Sequence, residues 1–541
     1  MTLSDPVAIR QFAELPPPYV FGLPAKFNRW WPNQSEAVMR TVETKKRFVG
    51  IVAPTGFGKS MVAIAIARIV GGRACYLTES KPLATQISRD FAALVTDVRG
   101  RQNYDCHRLN ENGIYGASGK CDRAEGLCPH CTLQENGCGY FDAWRRASRA
   151  DLPITNYDYW LSINEYNEKG LGKFDLLLVD EAHDAAQKLL GHLRIEFSAP
   201  EIGEYLRRDL PRPGTMTIER WRSWAQAHAP GIRTRADALK MQAQFGGELP
   251  RNKQIELRVL TGLAGRLEAL SGIDDAWIED RERQNPLGRV WWEPLTPARY
   301  AERLFRGIPK IVLLSATITP KDLEILGIPK SETEWLEFPS SFPVARRPVI
   351  HVPTVQQRAS MSEGQRLESV RRMDQIIRAR LDRKGVVHTV SYERQTHFVE
   401  HSEHRAIILT NQARSTQTTL DRYLKSAPPA VLSGPSYGTG YDFPGVSAEY
   451  QIIPKVPFMD TRSAIESARV AADPEYRNFM AMKSIVQMAG RIVRSAGDSG
   501  ETFITDDQWL WFRWQAVRFA PRYFLEACVF AKSIPAPLAK L

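Results

Sequence analysis

The segment Ala53-Pro-Thr-Gly-Phe-Gly-Lys59-Ser60 spaces two glycines, a lysine and a hydroxyl as a phosphate-binding loop does. In such a loop backbone N–H groups cradle the phosphates, lysine reaches the β- and γ-phosphates and the hydroxyl ligates magnesium. Those roles fall to Pro54, Thr55, Gly56 and Gly58 as the loop, with Lys59 and Ser60 at its end. Ala53 stands where the usual pattern has its first glycine. Further on, Asp180-Glu-Ala-His183 supplies carboxylates: Asp180 to hold magnesium, directly or through water, and Glu181 to orient and deprotonate the water that attacks the γ-phosphate. The pair of motifs points to ATP hydrolysis.

Both motifs need rigid supports, and the flanking residues provide them. Arg47 to Val52 is apolar enough for a buried parallel strand, Met61 to Arg68 reads as a helix start, and Leu176 to Val179 is a second buried strand. Strand character alternates with helical stretches from about 45 to 100 and again from 384 to 510, which predicts two α/β domains. Two interruptions separate them. The stretch from roughly 100 to 155 is cysteine-rich. The stretch from roughly 186 to 290 reads as helical, with Leu260, Leu263, Leu267 and Leu270 on one face, a spacing that marks core packing.

At 541 residues the chain is too long for one core. Its 43% hydrophobic and 25% charged residues are those of a globular protein, and no run approaches the roughly 20 apolar residues of a membrane span. The first ten residues lack the basic and apolar regions of a secretory signal, so the expected location is intracellular. A net charge of +11 favours a polyanionic partner. Of seven cysteines, Cys106, Cys121, Cys128, Cys131 and Cys138 fall together, a grouping that suits metal binding better than disulfides. Spacing alone leaves zinc and an iron-sulfur cluster both open.

Further motifs follow in order. Ser315-Ala-Thr317 comes after the apolar run Lys310 to Leu314, then Ser433 to Gly445 with Gly440 and Asp442, then Gln487-Met-Ala-Gly490-Arg491-Ile-Val-Arg494. This succession resembles the superfamily 2 helicases, and the placement of the cysteines between loop and acidic motif resembles the XPD/DinG-type iron-sulfur branch. Gly100 to Cys106 and Cys138 to Arg145 are similar to the start and finish of that branch's cluster domain.

The resemblance implies an α/β fold of two RecA-like motor domains with parallel sheets, plus an inserted iron-sulfur domain and an inserted helical arch. The boundaries expected are 1–99, 156–189 and 291–335 for motor domain 1, 100–155 for the cluster domain, 190–290 for the arch and 336–541 for motor domain 2. It implies ATP, Mg2+ and a [4Fe-4S] cluster as cofactors, with Cys106, Cys128, Cys131 and Cys138 as ligands and Cys121 as the alternate to Cys128. Gln34 is implied as an adenine contact, Gly440 and Asp442 as nucleotide contacts, and Gln487, Arg491 and Arg494 as catalytic groups, with Arg494 the arginine finger. The implied partners are single-stranded DNA and duplex junctions, with 5′ to 3′ translocation. Arg99, Arg101, Arg108, Arg123, Arg145 and Arg146, with Tyr104 and Tyr140, offer backbone contacts and base stacking in the cysteine-rich segment. An RNA-directed or remodelling DEAH-type ATPase with structural zinc is the alternative enzyme. An accessory nucleic-acid-binding subunit with a decayed motor is the alternative outside that class.

Overall fold

A computed structural model describes residues 15–107, 120, 128, 131–166, 170–246, 249–281, 288–410, 416–438, 441, 443, 445–460, 462–495 and 497–540. Its strands are β1 (Phe48–Val52), β2 (Ala74–Thr78), β3 (Thr96–Asp97), β4 (Pro153–Asn156), β5 (Leu176–Asp180), β6 (Ile195–Phe197), β7 (Trp277–Arg281), β8 (Val290–Pro294), β9 (Lys310–Ser315), β10 (Thr333–Glu337), β11 (Val349–Val355), β12 (Lys384–Val387), β13 (Ile408–Thr410), β14 (Ala430–Ser433), β15 (Tyr450–Ile453), β16 (Glu501–Asp506) and β17 (Cys528–Phe530).

They form two seven-stranded sheets, ordered β10-β1-β9-β5-β2-β4-β3 and β13-β14-β12-β15-β16-β11-β17. Every pairing in both is parallel. Parallel sheets need covering on both faces, and the sequence complies: β1, β2 and β5 are buried at every position. The helix Lys59–Val70 that follows β1 is apolar nearly all round, and eight of its residues are buried between sheet and outer helices. The two parallel-sheet domains are the predicted motors.

In the first sheet β1, β9 and β5 are neighbours, in a register that sets Val52 opposite Ser315 and Asp180 opposite Leu314. Three of the motifs therefore leave the sheet side by side at the carboxyl ends of adjacent strands, the place where open α/β sheets bind ligands.

The insertion between β5 and β9 holds the predicted helices, chiefly Ile218–Phe245 and Arg251–Ser271. Leu260, Leu263, Leu267 and Leu270 are fully buried along one face of the second. It is not helical throughout, however. β6, β8 and β7 make a three-stranded antiparallel sheet under the helices, and Trp221 packs edge-on against Trp292 of β8 with ring centroids 4.8 Å apart. The insertion also reaches the second motor: Arg469, on the helix Ala464–Ala472, donates to Glu293 at 2.9 Å.

Candidate nucleotide site and cysteine-rich segment

The phosphate loop turns through two glycines in the left-handed region, Gly56 at φ 82° and Gly58 at φ 80°. Side chains would be strained at both, and a Cβ on Gly58 would lie 2.7 Å from Gln34 Nε2. Gln34 is buried against the loop: its Nε2 donates to the Phe57 carbonyl at 2.5 Å and its Oε1 accepts from Trp31 N at 2.8 Å. Ala53 N donates to the Ser315 carbonyl at 2.9 Å, tying the loop's first residue to the end of β9.

Lys59 Nζ lies 3.5 Å from Glu181. Glu181 itself has φ 47°, a conformation that costs a non-glycine residue energy and that surrounding contacts must hold. Those contacts are plain. Glu181 N donates to Asp180 Oδ1 at 3.0 Å, and Ser315 Oγ donates to Glu181 Oε2 at 3.3 Å. Ser315 Oγ also meets His183 Nδ1 at 2.7 Å, and the other ring nitrogen is 3.3 Å from Asp184. Ser315 and Thr317 thus sit against the acidic motif, with Thr317 N donating to Ser315 Oγ at 3.0 Å.

Burial pushes the Asp180 carboxyl up to about 6, and the neighbouring Glu181 charge adds to the rise. Burial acts in the same direction on Glu181, but Lys59, His183 and Arg494 outweigh it and hold that carboxyl well below the usual range. The imidazole of His183 is raised to about 9: burial opposes its charge, while hydrogen bonds to Asp184 and Glu181 favour it more strongly. A divalent cation at Asp180 would supply the positive charge that a buried carboxylate needs.

The second motor closes this site. Arg494 Nη1 donates to Thr55 Oγ1 on the phosphate loop at 3.4 Å. Gln487, Gly490, Arg491 and Arg494 line one wall of a cavity of about 840 Å³ whose other wall carries Thr55, Lys59, Glu181 and Thr317. The structure thereby brings together every described residue implied for nucleotide chemistry, with Gln34 on the back of the loop. Gly440 and Asp442 lie outside the described residues.

Two further residues at the site carry no motif in the sequence. Tyr76, in the apolar run of β2, donates its hydroxyl to Asp180 Oδ2 at 2.9 Å and also meets Ser60. It joins the two proposed magnesium ligands from beneath. Lys483, on the helix Tyr476–Ala489, crosses from the second motor to the first, donating to the His183 carbonyl and lying 3.2 Å from Asp322. A buried polar hydroxyl within an apolar strand was the available signal for Tyr76; no signal distinguishes Lys483 from a surface lysine.

In the cysteine-rich segment, Cys106, Cys128, Cys131 and Cys138 are all half-buried, and Cys121 and His130 lie outside the described residues. Cys138 stands at the N-cap position of the eleven-residue helix Gly139–Arg149, and Arg101 Nη1 is 4.0 Å from Cys128 Sγ. Four thiols are a donor set of the chemical class that holds an iron-sulfur cluster. Of the proposed strand-binding groups, Tyr140 is 5% exposed and belongs to the core. Arg99 is paired with Asp97 and Arg145 with Asp142. Arg146 is exposed, and Arg108 and Arg123 are outside the described residues.

A family model described as "Helicase C-terminal domain" matches residues 375–518, and one described as "Type III restriction enzyme, res subunit" matches 28–208. No curated protein matches the chain in sequence. Among solved structures, one titled XPD helicase is 14% identical with a TM-score of 0.62, covering 92% of this chain and 99% of its own. Another, Xpd4 of S. tokodaii, is 13% identical with a TM-score of 0.57, covering 93% of this chain and 100% of its own. At these identities the likeness establishes the fold.

Proposed function

We propose that this chain, a superfamily 2 helicase of XPD-type fold, hydrolyses ATP between its two motors and uses the cycle to translocate 5′ to 3′ on single-stranded DNA, opening duplexes ahead of it. The observation that carries this reading is the contact of Arg494 with Thr55: an arginine of one motor already touches the phosphate loop of the other.

In the mechanism that follows, the triphosphate enters the cavity and takes Lys59 from Glu181. Glu181, which keeps His183 and Ser315 beside it, is then the base that accepts the proton of the attacking water. Ser60 and Asp180 would hold magnesium, which would supply charge neutralisation to the phosphates. Arg494 and Arg491 stabilise charge on the transferring group, and an arginine in this role contributes roughly 10³ to 10⁵ in rate in related enzymes. Turnover therefore requires both motors to be together, so that binding and release of nucleotide move them relative to each other.

A polyanionic strand is supported by a second cavity, of about 400 Å³, beyond the carboxyl ends of β11, β12 and β15. Arg358, Arg366, Arg394 and Lys455 line it. Such groups suit sequence-independent backbone contacts. DNA as the substrate and the 5′ to 3′ direction come from the family resemblance. The four described cysteines are proposed to hold the [4Fe-4S] cluster, a rigid brace for the segment that meets the duplex.

ATP hydrolysis with and without single-stranded DNA tests the reading. The wild type is expected to turn over faster with DNA, and Glu181→Gln to bind ATP without hydrolysing it. Hydrolysis by Glu181→Gln within about tenfold of wild type would overturn the active-site assignment.

A further inference from the structure

Away from the nucleotide cavity, the second motor gathers three metal-ligating side chains on adjoining helices. Glu363 opens the helix Glu363–Arg378, and His397 and His401 lie one turn apart near the end of the helix Tyr392–His401. Among the described residues this is the group of three or more His, Cys, Asp or Glu side chains whose ligand atoms all lie within 4.8 Å of one another. We propose that Glu363, His397 and His401 form a binding site for a divalent transition-metal ion of the zinc class.

The geometry is close to what such an ion requires. Zinc bound by imidazole nitrogens at about 2.0–2.1 Å and a carboxylate oxygen at about 2.0–2.2 Å in a tetrahedron sets its ligands roughly 3.3 Å apart. His397 Nε2 lies 2.9 Å from Glu363 Oε1, and the two imidazoles stack with centroids 4.4 Å apart and planes inclined by 28°. All three ligand atoms lie within 4.8 Å of one another, so rotamer changes are needed to bring them to the spacing a single ion sets.

The second observation concerns the histidine tautomer. His401 Nδ1 is 2.9 Å from the His397 carbonyl oxygen, which can only accept, so Nδ1 carries the proton and Nε2 presents its lone pair. Metal-ligating histidines are commonly held by such a bond from the opposite ring nitrogen to a backbone carbonyl. The helix itself therefore orients the donor.

The surroundings choose between classes of cation. Arg366 contributes positive charge near Glu363, and the site has a single carboxylate. Hard, oxygen-seeking ions such as magnesium and calcium depend on several anionic oxygens and would gain little here. Two imidazoles and one carboxylate leave a fourth position for water, the donor set of an open zinc site. Bound there, the ion would clamp two helices that wall the basic cavity of the second motor, since Arg366 and His397 both line it.

The experiment is a Co2+ titration of the full chain, followed by displacement with Zn2+. Cobalt on nitrogen and oxygen donors gives visible ligand-field bands without thiolate-to-metal charge transfer, so binding at the cysteines is told apart from binding here. The wild type is expected to show the nitrogen/oxygen signature at one ion per chain and to lose it to Zn2+. His397→Gln and His401→Gln should each weaken binding by at least about tenfold, and Cys138→Ser should leave the signal in place. Glu363→Gln, which changes one exposed side chain, should weaken it too and serves if either histidine variant loses helical structure. A wild type that shows only the thiolate signature, or a His397→Gln/His401→Gln double variant that keeps the nitrogen/oxygen signature, would overturn the proposal.

Discussion

Replacing Lys483 with methionine is expected to slow ATP turnover by roughly 30- to 150-fold while leaving each motor folded. Lys483 is 7% exposed, and its ammonium meets Asp322 at 3.2 Å, Asp184 at 3.9 Å and the His183 carbonyl. Breaking a buried ion pair from one side costs about 3–5 kcal/mol, because the remaining charge stays buried. Asp322 keeps two other bonds, from Thr319 N at 2.8 Å and Thr319 Oγ1 at 3.0 Å. Those bring the loss below that range, to about 2–3 kcal/mol, each hydrogen bond to a charged group being worth about 1.5–3 kcal/mol. Lysine and its partners belong to different motors, so the loss falls on the joined arrangement rather than on either core. At about 1.36 kcal/mol per factor of ten, the turnover reached only from that arrangement falls by the stated range. Steady-state hydrolysis at saturating ATP and DNA reads the effect directly, alongside thermal unfolding. Turnover within threefold of wild type, on the order of 0.6 kcal/mol, would refute the claim that this lysine couples the motors.

Two further outcomes follow from other parts of the molecule. Arg380→Met should destabilise the second motor by about 3–5 kcal/mol in denaturant unfolding, because it strands Glu501. The pair is bidentate, at 2.8 Å and 2.7 Å, with both side chains buried. Arg380→Met/Glu501→Leu should recover most of that loss, and a double variant no better than the single one would contradict it. Cys138→Ser should lose iron and strand separation but keep much of the DNA-independent hydrolysis, since the groups around the nucleotide cavity lie outside the segment; iron analysis and hydrolysis rates on one preparation decide it.

The motor sheets could be read in the sequence because buried parallel strands are written as apolar runs. Leu176 to Val179 needs no partner to be recognised, and a carboxylate directly after it marks the strand's end. The leucine stripe of the insertion was legible for a similar reason, its spacing being local. The small sheet beneath it was not. β6 has three residues, Ile195, Glu196 and Phe197, and its partner β8 begins at Val290, so its stability comes from a distant pairing that short-range pattern does not record. The same holds at the site. Glycines and lysine of the loop announce themselves by spacing, whereas Tyr76 acts across strands: it lies opposite Leu178 of β5 and thereby reaches Asp180. Exposed and buried members of the run Trp509 to Trp514 are likewise sorted only by packing, Trp509 and Phe512 facing the core and Trp511 and Trp514 the surface.

The most direct test of the account is strand displacement by anaerobically purified protein with ATP and magnesium, on DNA duplexes bearing a 5′ tail, a 3′ tail or no tail, with matched RNA duplexes alongside. The expected result is opening of the 5′-tailed DNA duplex, no opening of the blunt or 3′-tailed ones, and loss of activity by on the order of tenfold or more between 50 and 200 mM salt as phosphate contacts are screened. Opening of the 3′-tailed duplex alone, or of RNA in place of DNA, would contradict it.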